Sequence, residues 1–157
     1  NDAGSKVMGA SLPEALAAAI EAESLAAVKM PVNGVFLGDW KEGEKLAQSG
    51  RGMTWTDASA EPKDNGGNCY NCHQIGKAEI SYGTIGPSLY NYGKLRGVTD
   101  PTSAAAKPIV EYTWQKLYNA KAFVACSEMP RMGAMLSEKQ LQDIMALLLD
   151  PKSPANQ

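Results

Sequence analysis

Five consecutive residues, Cys69-Tyr70-Asn71-Cys72-His73, contain the only histidine of the chain and two of its three cysteines. Cys-x-x-Cys-His is the spacing at which a c-type haem is attached. Two thiols three residues apart can add to the two vinyl groups on one edge of a porphyrin, and the imidazole that follows is then held beneath the iron. The same residue types admit other chemistry. A dithiol redox pair of the thioredoxin kind wants a βαβ pattern around Cys69 and Cys72, and none is visible. A structural zinc site can be assembled by count from Cys69, Cys72, His73 and Cys126, but adjacent Cys72 and His73 would have to close on one tetrahedral ion. Three buried cysteines beside a capped histidine is the plainest alternative. The motif and a plausible second ligand downstream favour one covalently bound haem c, with its iron.

Iron held by one imidazole keeps an open axial position, and the ligand there decides between electron transfer and small-molecule chemistry. Seven methionines are present, most of them expected to be core filler. Met129 lies in Glu128-Met129-Pro130-Arg131-Met132-Gly133, between two expected helices, where Pro130 removes a backbone donor and stiffens the chain. Met132 is the nearest rival and Met135 a weaker one.

The elements that must position these groups read as helices. Ser11-x-x-Glu14 is a capping box, with Pro13 in the first turn, and an Ala-rich helix is expected to run to Lys29, before Pro31, Asn33 and Gly34. It either packs on the surface of its own domain or docks on a partner. Asp39 to Ser49 is a second helix, with Asp39-x-x-Glu42 at its start and Gly50 as its stop. Residues 51–68 read as an irregular loop, and Gly83, Gly86 and Pro87 punctuate another that runs through Tyr90 and Tyr92 to about Pro108. A helix follows from Ile109 to Ala120. The last helix is capped by Ser137 and Gln140, has Leu141, Ile144, Met145 and Leu148 as its inward stripe, and stops at Asp150-Pro151. The domain plan is an extension over 1–36, one helical domain over 37–150, and a polar tail over 151–157. The expected fold class is all-α, without a convincing strand.

At 157 residues, with 44% hydrophobic and 20% charged residues, the chain can build one proper core. A formal charge of −2 with no basic cluster carries no nucleic-acid signature, and no apolar run approaches the ~20 residues of a membrane span. The sequence begins at Asn1 without an apolar leader, which predicts a mature periplasmic product whose signal peptide has been removed. Trp114 and Tyr118 read as core packing, with donation from Trp114 to a haem propionate as the alternative use of its N–H. Lys94 and Arg96 are either propionate partners or solvated charges, and Cys126 is most simply a small buried hydrophobe.

The order helix, Cys69-x-x-Cys72-His73, Gly86-Pro87-x-Leu89, helix, Met129-Pro130 and closing helix resembles the class I cytochromes c over about residues 38–150. Leu117-x-Asn119-x-Lys121-x-Phe123-Val124 ahead of Met129 is similar to that family's approach to its methionine ligand. The resemblance favours Met129 over Met132 as the sixth ligand, with His73 as the fifth. It also implies that Gly43 lets the terminal helices cross closely, and that Pro87 offers its carbonyl to the second nitrogen of His73. Ala47 and Leu147 replace aromatics frequent at that crossing, Cys126 stands where glycine is frequent, and residues 51–68 are an insertion.

Within that family, the N-terminal extension, the insertion and the ending Met-Pro-Arg-Met-Gly-x-x-Leu-Ser-x-x-Gln-Leu resemble SoxX, the monohaem subunits of the SoxAX cytochromes of bacterial thiosulfate oxidation. That resemblance implies a heterodimer with a SoxA-like subunit, a SoxYZ-like carrier protein whose cysteine receives thiosulfate, and a soluble acceptor cytochrome c for the electrons. The chain would supply a redox centre to a thiosulfotransferase-type oxidoreductase and no catalytic residue of its own, since no nucleophile–base pair is evident. A free-standing periplasmic electron shuttle needs the same haem without the extension. A sensor would need a labile sixth position.

Overall fold

The structure, a computed structural model, describes residues 12–52 and 64–157. Among the described residues six helices follow in order: α1 Glu14–Ala26, α2 Trp40–Gln48, α3 Tyr92–Leu95, α4 Lys107–Tyr118, α5 Met132–Met135 and α6 Glu138–Leu149. Short 3-10 turns stand at Cys69–Asn71, Ala120–Ala122 and Pro154–Asn156. Among the described residues no strand forms, so the domain is all-α.

The centre is the crossing of α2 and α6. Asp39 caps α2, its side chain accepting the N–H of Lys41 at 2.8 Å. Ser137 and Gln140 form the expected reciprocal box at the start of α6, with Gln140 Oε1 accepting the Ser137 N–H at 2.9 Å. Where the helices meet, a Cβ at Gly43 would stand 2.1 Å from the Asp143 carbonyl oxygen and 3.1 Å from Leu147 Cβ. Only a residue without a side chain allows that approach. Ala47 and Leu147 are fully buried at the crossing. The Asp143 carboxylate fastens the entrance to α2 by accepting the Asp39 N–H at 2.7 Å, and it also pairs with Lys139.

α6 is enclosed more fully than a single stripe would suggest. Besides Leu141, Ile144, Met145 and Leu148, residues Ala146, Leu147 and Leu149 are buried. The added cover comes from the segment expected to be a polar tail. Ser153, Ala155 and Asn156 are buried, with the Ser153 hydroxyl donating to the Leu147 carbonyl at 2.5 Å. Asn156 Nδ2 donates to the carbonyls of Leu148 and Asp150 at 3.1 and 3.0 Å, while its Oδ1 accepts from Gly93 and Lys94 at 3.0 and 3.1 Å. Residues 151–157 are thus a strap that ties α3 to α6.

Other boundaries also differ. α1 stops at Ala26, and Pro13 stands at its N-cap position without a side-chain cap. The Ser11 box lies outside the described residues. α2 stops because Ser49 turns extended, not through a left-handed Gly50. α4 starts at Lys107, which puts Pro108 in its first turn where a missing N–H costs nothing. Of the insertion, residues 53–63 lie outside the described part. The stretch beyond them returns to α2 through Gly66 to Arg51 and Gly67 to Leu46, both at 2.8 Å.

Candidate functional site

The motif sits directly against the end of α2. Asn68, in a left-handed conformation at φ 50, opens the 3-10 turn, and both Cys72 and His73 donate their N–H groups to the Cys69 carbonyl at 3.1 and 2.9 Å. Cys69 opens the turn and Cys72 is the residue that ends it. Both are free thiols. Cys69 is half-buried against the core, and that burial pushes its thiol up to about 12. A thiol so disposed stays protonated at neutral pH, the opposite of what an attacking cysteine in a dithiol oxidoreductase requires.

His73 is oriented by the loop beneath it. Its Nδ1 lies 2.7 Å from the Pro87 carbonyl oxygen. A carbonyl only accepts, so Nδ1 is the donor, and in the neutral ring Nε2 is the nitrogen with the lone pair. A Cβ at Gly86 would fall 2.1 Å from His73 Cε1, so the peptide ahead of Pro87 lies against the ring only because residue 86 is glycine. The cradle is fixed further by Gly86 to Cys72 at 2.9 Å and Leu89 to Gln74 at 2.8 Å. Ile85, beside it, is 69% exposed.

Three candidates for the second ligand are placed differently. Met132, on α5, is 3% exposed within the core cluster, and Met135 lies on the same short helix. Met129 lies on the irregular stretch between Ala122 and α5, half-buried against the core, with its N–H reaching Ser127 Oγ at 3.3 Å. Upstream, the Ala125 N–H is accepted by Glu21 Oε1 of α1 at 3.1 Å, and the Ala125 carbonyl accepts from Lys121 Nζ at 3.1 Å.

The remaining candidates are committed to packing. Trp114 is 1% exposed and its indole N–H donates to the Lys29 carbonyl at 2.9 Å. This N–H, which a propionate was the alternative expected to take, thus has a partly buried backbone acceptor within the chain. The Tyr92 hydroxyl meets Thr113 Oγ1 at 3.0 Å, the Tyr90 hydroxyl donates to the Gln157 carbonyl at 2.5 Å, and Arg96 stacks over the Tyr92 ring. Both tyrosines close their loop. Among the described residues no group of three His, Cys, Asp or Glu side chains is arranged to hold a metal ion.

One acidic neighbour was not singled out from sequence. Glu44 Oε1 accepts from the Tyr70 hydroxyl at 3.0 Å, and that hydroxyl accepts from the Gly76 N–H at 2.9 Å. Burial raises the Glu44 carboxyl above its ordinary value and nearby Glu79 adds to the rise, against the Tyr70 bond. Burial likewise raises Tyr70. Only the position of Tyr70 inside the motif offered a signal.

No family model matches the chain. It is 37% identical over 139 residues to a protein of Aquifex aeolicus (strain VF5) described as an uncharacterized lipoprotein. The match takes in 85% of this chain and 60% of that relative, so the chain spans less than two thirds of the relative's length. No helix among the described residues is long and apolar enough to cross a membrane.

Proposed function

We propose that this chain is a class I c-type cytochrome that carries one haem c on Cys69 and Cys72, with His73 and Met129 as axial ligands, and serves electron transfer outside the cytoplasm. The observation that carries the reading is the His73–Pro87 bond over Gly86, made by the only histidine of the chain directly after Cys-x-x-Cys. The donor set fits the group: two free thiols that open and close one turn, an imidazole whose Nδ1 is bonded to the Pro87 carbonyl, and a thioether on an irregular stretch. Bound haem supplies a one-electron couple, and a thioether opposite the imidazole favours its reduced state. The Pro87 carbonyl holds the ring and its tautomer, Gly86 gives it room, and Ile85 offers apolar surface beside it.

The test is the mass and spectrum of protein matured with haem-attachment machinery. One covalent haem is expected, lost as a covalent adduct when both cysteines are replaced. Met129→Ala should abolish the near-infrared sulfur-to-iron band, whereas Met132→Ala should keep it and chiefly lower stability. A colourless product of unmodified mass refutes the reading.

The finer proposal is a SoxX-like subunit that takes electrons from a SoxA-like partner and passes them to an acceptor cytochrome. Its test is co-purification with that partner and haem reduction by thiosulfate plus the carrier protein. The lipoprotein description of the relative fits a periplasmic setting. A second reading, the free-standing shuttle, is favoured by one observation: α1 lies on its own domain, against Ala120–Ala122, instead of standing free. A protein that stays monomeric beside the SoxA-like partner supports the shuttle.

A further inference from the structure

We propose that α1 is a positioning element for the sixth iron ligand, acting through the Glu21 carboxylate. The inference rests on the reading of Met129 as that ligand and adds what controls its lability. None of the residues of α1 is buried, so apolar packing does little to hold the helix in place. Its polar links reach the stretch from Lys116 to Ala125. Glu21 Oε1 accepts the Ala125 N–H at 3.1 Å, while the Ser24 carbonyl accepts Asn119 Nδ2 at the long distance of 3.5 Å. Glu21 also faces Lys116 of α4, whose ammonium it supports against burial.

Ala125 begins the turn that leads into the methionine stretch. Its peptide is held at both ends, the N–H by Glu21 and the carbonyl by Lys121 Nζ at 3.1 Å. From there Ser127 N–H bonds back to the Val124 carbonyl at 2.9 Å, and Ser127 Oγ accepts the Met129 N–H at 3.3 Å. The chain of bonds therefore runs from α1 to the backbone of the ligand residue. The five residues from Ala125 to Met129, outside any helix, gain a fixed anchor from a carboxylate that belongs to another element. Without it, Ala125 N–H loses a charged acceptor, the strongest kind of partner open to it. The thioether would then leave the iron more often, and α1 sets how often.

The experiment uses the full haem-loaded protein and measures the rate at which imidazole replaces the methionine ligand in the ferric state, followed by loss of the near-infrared sulfur-to-iron band. Glu21→Ala should raise that rate about tenfold, the equivalent of one charge-assisted bond. Glu21→Gln, which keeps an acceptor oxygen, should restore most of the parental rate. A rate in Glu21→Ala within twofold of the parent overturns the proposal, whatever happens to the melting temperature. So does equal acceleration in both variants, which would mean general loosening of α1. If the parent itself lacks the sulfur-to-iron band, the Met129 assignment fails first, and the proposal falls with it.

Discussion

Replacing Gly43 by alanine tests the α2–α6 crossing by sign as well as by size. In an exposed helix interior, Gly→Ala gains about 1 kcal/mol through backbone entropy. Here the new Cβ would stand 2.1 Å from the Asp143 carbonyl oxygen and 2.7 Å from its carbon. Ordinary contact needs roughly 3.5 Å, so the helices must separate by more than 1 Å. The obstructing atoms are backbone, and no rotamer change relieves them. Overpacking of this kind costs about 1–3 kcal/mol, and a backbone obstacle places Gly43→Ala near the top of that range. Set against the propensity gain, the net loss is about 2 kcal/mol, which in a domain of this size lowers Tm by about 4–8 °C. Far-ultraviolet circular dichroism at fixed pH measures it. A variant that melts with or above the parent refutes the close crossing, because the propensity gain would then be unopposed.

Three further outcomes follow from particular contacts. Gly86→Ala puts a Cβ 2.1 Å from His73 Cε1 and should break the Pro87 bond, accelerating exchange of the Nδ1 proton about tenfold by NMR; an unchanged rate contradicts the cradle. Glu44 has its folded-state value raised above the ordinary 4.5, so the native state holds the proton more tightly than the unfolded chain. Its stabilising contribution is full below that value and is lost as pH rises through the raised one, and Glu44→Gln should flatten that segment of a Tm–pH curve. Asn156→Ala leaves the Gly93 and Lys94 N–H groups without their acceptor and should cost about 2–3 kcal/mol by urea titration, where a polar linker residue would cost under 0.5 kcal/mol.

The parts of the fold written in local chemistry were legible. Asp39 and Ser137 announce α2 and α6 because their side chains cap backbone a few residues away, and Gly43 and Gly86 matter where the family resemblance placed them. The Pro87 contact came from that resemblance and not from composition. Residues 152–157 misled for a physical reason. A stretch such as Lys-Ser-Pro-Ala-Asn-Gln looks like solvated linker, and its burial is decided by carbonyls on α6 and amides on α3 that no local pattern reveals. Trp114 likewise has a donor whose acceptor, the Lys29 carbonyl, is distant in sequence and is left open because α1 stops at Ala26, short of the expected helix end. Glu21 and Glu44 were invisible as functional candidates because surface carboxylates on helices are ordinary until a third element closes over them.

The joining of α2 to α6 orders events during synthesis. A nascent chain that has emerged only as far as Met135 already displays Cys69, Cys72 and His73, yet it lacks the helix that covers Gly43 and Ala47. Closure waits for the strap of residues 151–157 as well, since Asn156 is what clamps α3. Until α6 is available α2 has no partner for its buried face, so the seat of the Cys69–Asn71 turn against α2 is completed from the far end of the chain.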